Sequence, residues 1–91
     1  METIKPGQIL KHFKRELCSQ EEKNANYFLY YVVDIAINTE TNEPMLVYKA
    51  LYAPFTTWVR PLSMVFEKVD KEKFPTVKQE CRFEVWEGKD A

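Results

Sequence analysis

Apolar and polar positions along this chain follow a period of two, and no stretch of eleven residues sustains a helical period. The clearest run is Tyr27–Asn38. Its odd positions (Tyr27, Leu29, Tyr31, Val33, Ile35, Ile37) are all apolar or aromatic, whereas Asp34 and Asn38 interrupt the even ones (Phe28, Tyr30, Val32, Ala36). Aromatic and β-branched side chains suit a strand. Asp34 predicts that the odd face turns to the core and that the even face is only partly covered.

Asn38–Pro44 is turn chemistry, and Met45–Tyr52 reads as the return strand of a hairpin, with Pro44 at a position where a missing N–H is tolerated. Met45, Val47, Lys49 and Leu51 share one face of that strand; Leu46, Tyr48, Ala50 and Tyr52 share the other. Ala53–Thr57 is a second turn, and Trp58–Arg60 a short third strand of the meander. Ahead of the hairpin, Pro6-Gly7 opens a short strand over Gln8–Phe13, and the polar segment Leu17–Asn26 reads as a loop. Behind it, Pro61 predicts a helical turn at Leu62–Met64. Phe66–Val69 is extended, Asp70–Glu80 is a loop or one turn of helix, Arg82–Trp86 is the last strand, and the chain frays from Gly88. Five or six short strands with only two glycines predict a mainly all-β domain over residues 1–91, a small, strongly bent antiparallel sheet closing on itself. Such closure hides the edges that the aromatic run would otherwise offer for aggregation.

Composition narrows the class. With 45% hydrophobic and 14% aromatic residues in 91, the chain carries too many core formers to be disordered and too few residues for two cores. The longest apolar run, Tyr27–Val33, stops far short of the roughly 20 residues of a membrane helix. No signal-peptide pattern follows Met1, and two cysteines 63 positions apart make no disulfide framework, so the expected compartment is the cytoplasm. Charge is balanced at 13 basic against 14 acidic residues. Residues 17–43 are acidic and their neighbours mildly basic, but no run has the basic excess that duplex DNA binding requires.

A resemblance rests on four runs: Lys5-Pro-Gly with His12-Phe-Lys14; Asp34-Ile-Ala with Glu40-Thr-Asn-Glu-Pro-Met-Leu-Val-Tyr48-Lys-Ala-Leu-Tyr52; Trp58-Val-Arg-Pro-Leu-Ser-Met64 with Glu67-Lys-Val69; and Arg82-Phe-Glu84. In this order they resemble the bacterial family of domain of unknown function 1653, over about residues 5 to 85. The resemblance implies a stand-alone bacterial cytoplasmic protein with a small SH3-like β-barrel. It carries no established activity, cofactor or catalytic residue. Members often have Gly after Leu-Tyr, whereas Ala53-Pro54 stands here, which implies a stiffer turn before Trp58.

Candidate chemistry is sparse. His12 is the single histidine, flanked by Lys11 and Lys14, which disfavour its protonation. Cys81 is in phase with Phe83 and Val85 and is expected to be buried, and nothing near Cys18 activates a thiolate. One histidine and no Cys-x-x-Cys pair leave no metal site, no phosphate-binding glycine loop exists, and no cofactor is expected. The strongest lead is aromatic and basic. Tyr48 and Tyr52 share a strand face roughly 13 Å apart, Trp58 and Arg60 share a face of the next strand, and Lys49 is close in sequence.

Tyr48, Tyr52, Trp58, Arg60, Lys49 and His12 are therefore the candidate ligand-binding residues of a non-enzymatic binding module. Its ligand would be a small molecule, a peptide or single-stranded nucleic acid. Against this, Tyr and Trp also simply fill a small core, at about 150–250 Å² each. The alternative is an interaction protein that packs on a second copy or a partner through the even face of Tyr27–Asn38, namely Phe28, Tyr30 and Val32. An enzyme would need His12, Asp34 and a tyrosine to converge in one cleft.

Overall fold

The computed structural model describes residues 4–88, so the end expected to fray lies largely outside the described residues. Five antiparallel strands form one sheet: β1 (Ile9–His12), β2 (Leu29–Ile37), β3 (Pro44–Ala50), β4 (Thr57–Pro61) and β5 (Phe83–Val85), in the order β4-β3-β2-β1-β5. The chain is mostly β, as expected, but the sheet stays open. No ladder joins β4 to β5, so the barrel closure anticipated from the sequence does not form. The sheet is nonetheless curled, because Arg60 on one edge strand reaches the ring of Phe83 on the other. Leu62–Met64 is a 3₁₀ turn, and the strap from there to residue 82 links the two edge strands.

The core lies between the concave sheet face and this strap. Leu10, Tyr30, Val32, Leu46, Tyr48, Ala50 and Phe83 come from the sheet, Val65 from the strap, and Leu62 and Phe66 pack against them. A second cluster, Phe13, Val69 and Val77 with Phe74, seals the far end of the strap. There the carboxylate of Glu16 accepts the backbone N–H groups of Lys78 (2.9 Å) and Gln79 (2.8 Å). Lys71 Nζ donates to the carbonyls of Val77 and Gln79.

The expected facing of Tyr27–Asn38 needs correction. Val32 pairs with Tyr48 but Asp34 pairs with Val47, so Val33 and Asp34 together oppose one residue. This β-bulge inverts the alternation. Before it the even residues Tyr30 and Val32 face the core; after it the odd residue Ile35 does. Tyr31 and Val33 consequently point to solvent, 41% and 43% exposed.

Leu17–Asn26 also differs from a plain loop. Phe13–Leu17 is a 3₁₀ turn and Gln20–Asn24 a short helix, α1, opened by a reciprocal Ser19–Glu22 capping box. Buried Arg15 secures α1, donating from Nη1 to the Tyr27 carbonyl at 2.7 Å and from Nη2 to that of Lys23 at 3.2 Å. The hairpin turn places Asn42 at φ 60°, a left-handed conformation that asparagine tolerates. The Ala53–Pro54 bond in the next turn is cis.

Candidate functional site: an arginine on an aromatic floor

Antiparallel pairing decides which candidates meet. In register, Tyr48 faces Trp58, Leu46 faces Arg60, Leu10 faces Tyr30 and Val85, and His12 faces Phe83. Alternation therefore puts His12, Tyr30, Tyr48, Trp58, Arg60 and Phe83 on the concave side. Lys49 is on the other side, paired with Tyr31 and Thr57, and its ammonium donates to the Phe55 carbonyl at 3.0 Å. It does not join the group.

Phe83 is the hub of the floor. Its ring meets those of His12 at 4.9 Å, Tyr30 at 5.7 Å and Tyr48 at 5.8 Å, all close to edge-on, and Arg60 Cζ lies 5.5 Å from its centroid. Edge-to-face rings at these separations are favourable contacts, and the guanidinium gains from the ring face. Phe28 and Tyr30 were expected only on a face packed against a partner, and Phe83 was not among the candidate site residues. The signal for Phe83 was its place in the last alternating strand, which gives no hint of which ring it will touch.

Tyr52 continues the cluster beyond the end of β3. It stacks on Tyr27 at 5.1 Å, meets Phe28 and Tyr30 at 5.8 Å each, and shares a 2.8 Å hydroxyl–hydroxyl hydrogen bond with Tyr30. Phe28 holds φ 63°, unusual for a bulky residue. Its ring lies between His12 and Tyr52, and its carbonyl accepts the His12 N–H.

The electrostatics of this floor disfavour acid–base chemistry. His12 is lowered to about 4, first by burial and then by the charges of Lys14, Arg82 and Arg60. Its Nδ1 already accepts the Lys14 backbone N–H at 3.1 Å, which assigns the remaining proton to Nε2. Tyr30 is raised far above the usual phenol range by burial and by its bond to Tyr52; Tyr48 is raised by burial, with the Arg60 charge opposing. At neutral pH the floor is thus uncharged, and Arg60 is the cation above it.

Arg60 and Trp58 differ from the rest. Arg60 is half-buried and no carboxylate pairs with it among the described residues, while its Nε is enclosed without an acceptor. Trp58 is 49% exposed and its ring makes no aromatic contact among the described residues, so it is no core filler. Tyr48, at 8% exposed, is part of the core. Cys81 is half-buried, in an isolated bridge with Lys68. Asp34 is exposed on the convex side, and no contact joins it to His12.

The family described as "Protein of unknown function (DUF1653)" matches residues 8–85. The chain belongs to this family. The match spans all five strands and includes every residue of the floor. No curated protein and no solved structure matches the chain. Among the described residues no helix is long and apolar enough to cross a membrane, and no group of three or more His, Cys, Asp or Glu is placed to hold a metal ion.

Proposed function

We propose that this family member is a binding module, not a catalyst, and that its ligand is a small organic anion with a planar or apolar body. One observation carries the reading: Arg60, without a carboxylate partner among the described residues, is seated on the Phe83 ring beside an exposed, uncommitted Trp58. A guanidinium held from behind by an aromatic face presents its outer N–H groups in a fixed fork, which suits a carboxylate or phosphate. Trp58, two residues away on the same strand face, offers the ligand's body a ring to stack on. The half-buried Tyr52 and His12 border the same floor. Single-stranded nucleic acid fits less well, since its affinity requires several phosphates to be neutralised and Lys49 faces away.

Tryptophan fluorescence in a Trp86→Phe background tests this, with aromatic carboxylates, nucleoside monophosphates, acidic peptides and an oligothymidylate as probes. A saturable change with a small anion, lost in Arg60→Gln at an unchanged urea midpoint, supports the reading. Preference for the peptide or the oligonucleotide replaces the ligand class. Silence across all four refutes the module.

A second reading, self-association, is favoured by a different observation. Tyr31 and Val33 on β2 and Val59 (58% exposed) on β4 lie on the convex face, either side of β3. The face expected from the sequence, Phe28, Tyr30 and Val32, is instead turned inward, with Tyr30 and Val32 buried and Phe28 packed against the core. A concentration-independent monomer in sedimentation would remove it.

A further inference from the structure

The sheet ends at β4, and among the described residues no strand pairs with its outer side. The opposite edge is partly covered. The strap bridges Lys68 to Cys81 just ahead of β5, and the Arg82 N–H donates to the Glu67 carbonyl at 2.8 Å. The ladder shows which groups β4 leaves open. The Ala50 N–H donates to the Thr56 carbonyl at 2.9 Å, so alternation turns the backbone groups of Thr56, Trp58 and Arg60 toward β3. Those of Thr57, Val59 and Pro61 therefore point away from the sheet, and of these only Pro61 lacks an N–H.

Sheet edges are ordinarily guarded by lysine, proline, a bulge or a charge on the covered face. β4 has no lysine, its register with β3 runs without a bulge, and Thr57, Trp58 and Val59 are exposed. Beyond Pro61 at its last position, the guard is Arg60 on the concave face. A cation laid against an apolar strand loses water without gaining a partner, so Arg60 discourages most strands from docking here.

We infer that β4 pairs with the β4 of a second copy of this chain, antiparallel about a two-fold axis at Val59. In that register Trp58 of each copy faces Arg60 of the other. Their backbone groups are already engaged with β3, which makes them a non-hydrogen-bonded pair, with Cα atoms about 4.5 Å apart and side chains at their closest. The guanidinium seated on Phe83 thus gains the second copy's indole as a cross-strand partner. Val59 meets Val59, exchanging both backbone hydrogen bonds, and each Thr57 N–H reaches a Pro61 carbonyl of the other copy. Slipping the register by two residues sets Arg60 against Arg60 in one direction, and in the other sets Trp58 against Trp58 with Arg60 opposite Thr56. A like strand in the Val59-centred register is therefore the occupant that answers the guarding charge. This contact uses the sheet's edge and not its convex face, and it closes at two copies.

The shared ladder has five residues a side, so the association is weak, and the test is sedimentation velocity on the full chain from about 5 µM to about 1 mM. Backbone amide exchange over the same range reads the contact itself. The inference predicts a monomer–dimer equilibrium in which the Thr57 and Val59 N–H groups gain about tenfold protection or more as the dimer fills. Val59→Pro removes an outward N–H without breaking a bond to β3 and should be monomeric throughout. Tyr31→Lys/Val33→Lys, which charges the convex face alone, should dimerise as the parent does. A parent that stays monomeric at the top of the range, a dimer whose Thr57 and Val59 amides stay unprotected, a folded Val59→Pro that still dimerises, or a convex-face variant that no longer does would each overturn it. Should the proline variant fail to fold, the parent's amide protection decides. A monomer whose edge amides are protected only by an added Thr-Val repeat peptide would give the edge to a foreign strand instead. A monomer that still binds a small anion overturns this inference and leaves the Arg60 reading standing.

Discussion

His12 gives folding stability a pH dependence that its surroundings fix in sign and size. The unfolded imidazole titrates near 6.5, whereas the folded one is lowered to about 4 by burial and by three nearby cations. Above 6.5 the ring is neutral in both states and contributes no slope. As pH falls from there toward 4, the unfolded chain takes up a proton that the folded chain refuses, so stability is lost through this window. Between about pH 7.5 and about pH 5 the loss is about 2 kcal/mol, at about 1.4 kcal/mol per pKa unit. That is a sizeable part of the roughly 5–14 kcal/mol expected for a chain of this length. Most carboxylates titrate below the window, and no other histidine exists in the chain. In His12→Asn the side-chain oxygen can still accept the Lys14 N–H but cannot titrate. Urea unfolding followed by circular dichroism should show the 2 kcal/mol loss in the parent and a nearly level response in the variant. A parent that is flat across the window, or a variant that loses as much, refutes the assignment.

Two further predictions concern the clamp on the strap and the floor beneath Arg60. Glu16→Ala removes two charge-assisted bonds and strands the N–H of buried Gln79. It should cost about 1–3 kcal/mol in urea unfolding, and a loss under about 0.5 kcal/mol would contradict the clamp. Phe83→Ala empties a site that is 2% exposed and removes the ring from beneath Arg60. About 3–5 kcal/mol should be lost, against about 1 kcal/mol for Phe83→Leu. Near-equal losses would mean that filled volume alone matters at this position.

The meander was legible because its strands carry clean alternation and its turns carry Asn, Thr and Pro. Pro44–Ala50 and Thr57–Pro61 fall within a few residues of the expected spans, and their pairing sets Tyr48 opposite Trp58. The facing of β2 inverts because Val33 and Asp34 share one partner: Asp34 marks the outward side only after the bulge, and the apolar run Tyr27–Val33 before it holds no polar residue to mark the other. The capping box Ser19-x-x-Glu22 was present in the sequence, but no apolar run follows it, so a five-residue helix looked like a loop. Glu16 and Gln79 could not be linked, because their contact spans 63 positions and has no pattern of its own. Arg60 stood out by sharing a strand face with Trp58, while the ring beneath it comes from the opposite edge of the sheet.

The central claim is that the Arg60 guanidinium is held ready for an external anion. The most direct measurement is the ¹⁵N-edited NMR signal of the Arg60 side-chain Nε–H and of the Trp58 indole N–H during titration with a small aromatic carboxylate. The account predicts that both signals move together and saturate, with Arg60→Gln abolishing the indole shift. Signals that stay fixed throughout, or an indole shift that survives Arg60→Gln, would contradict it.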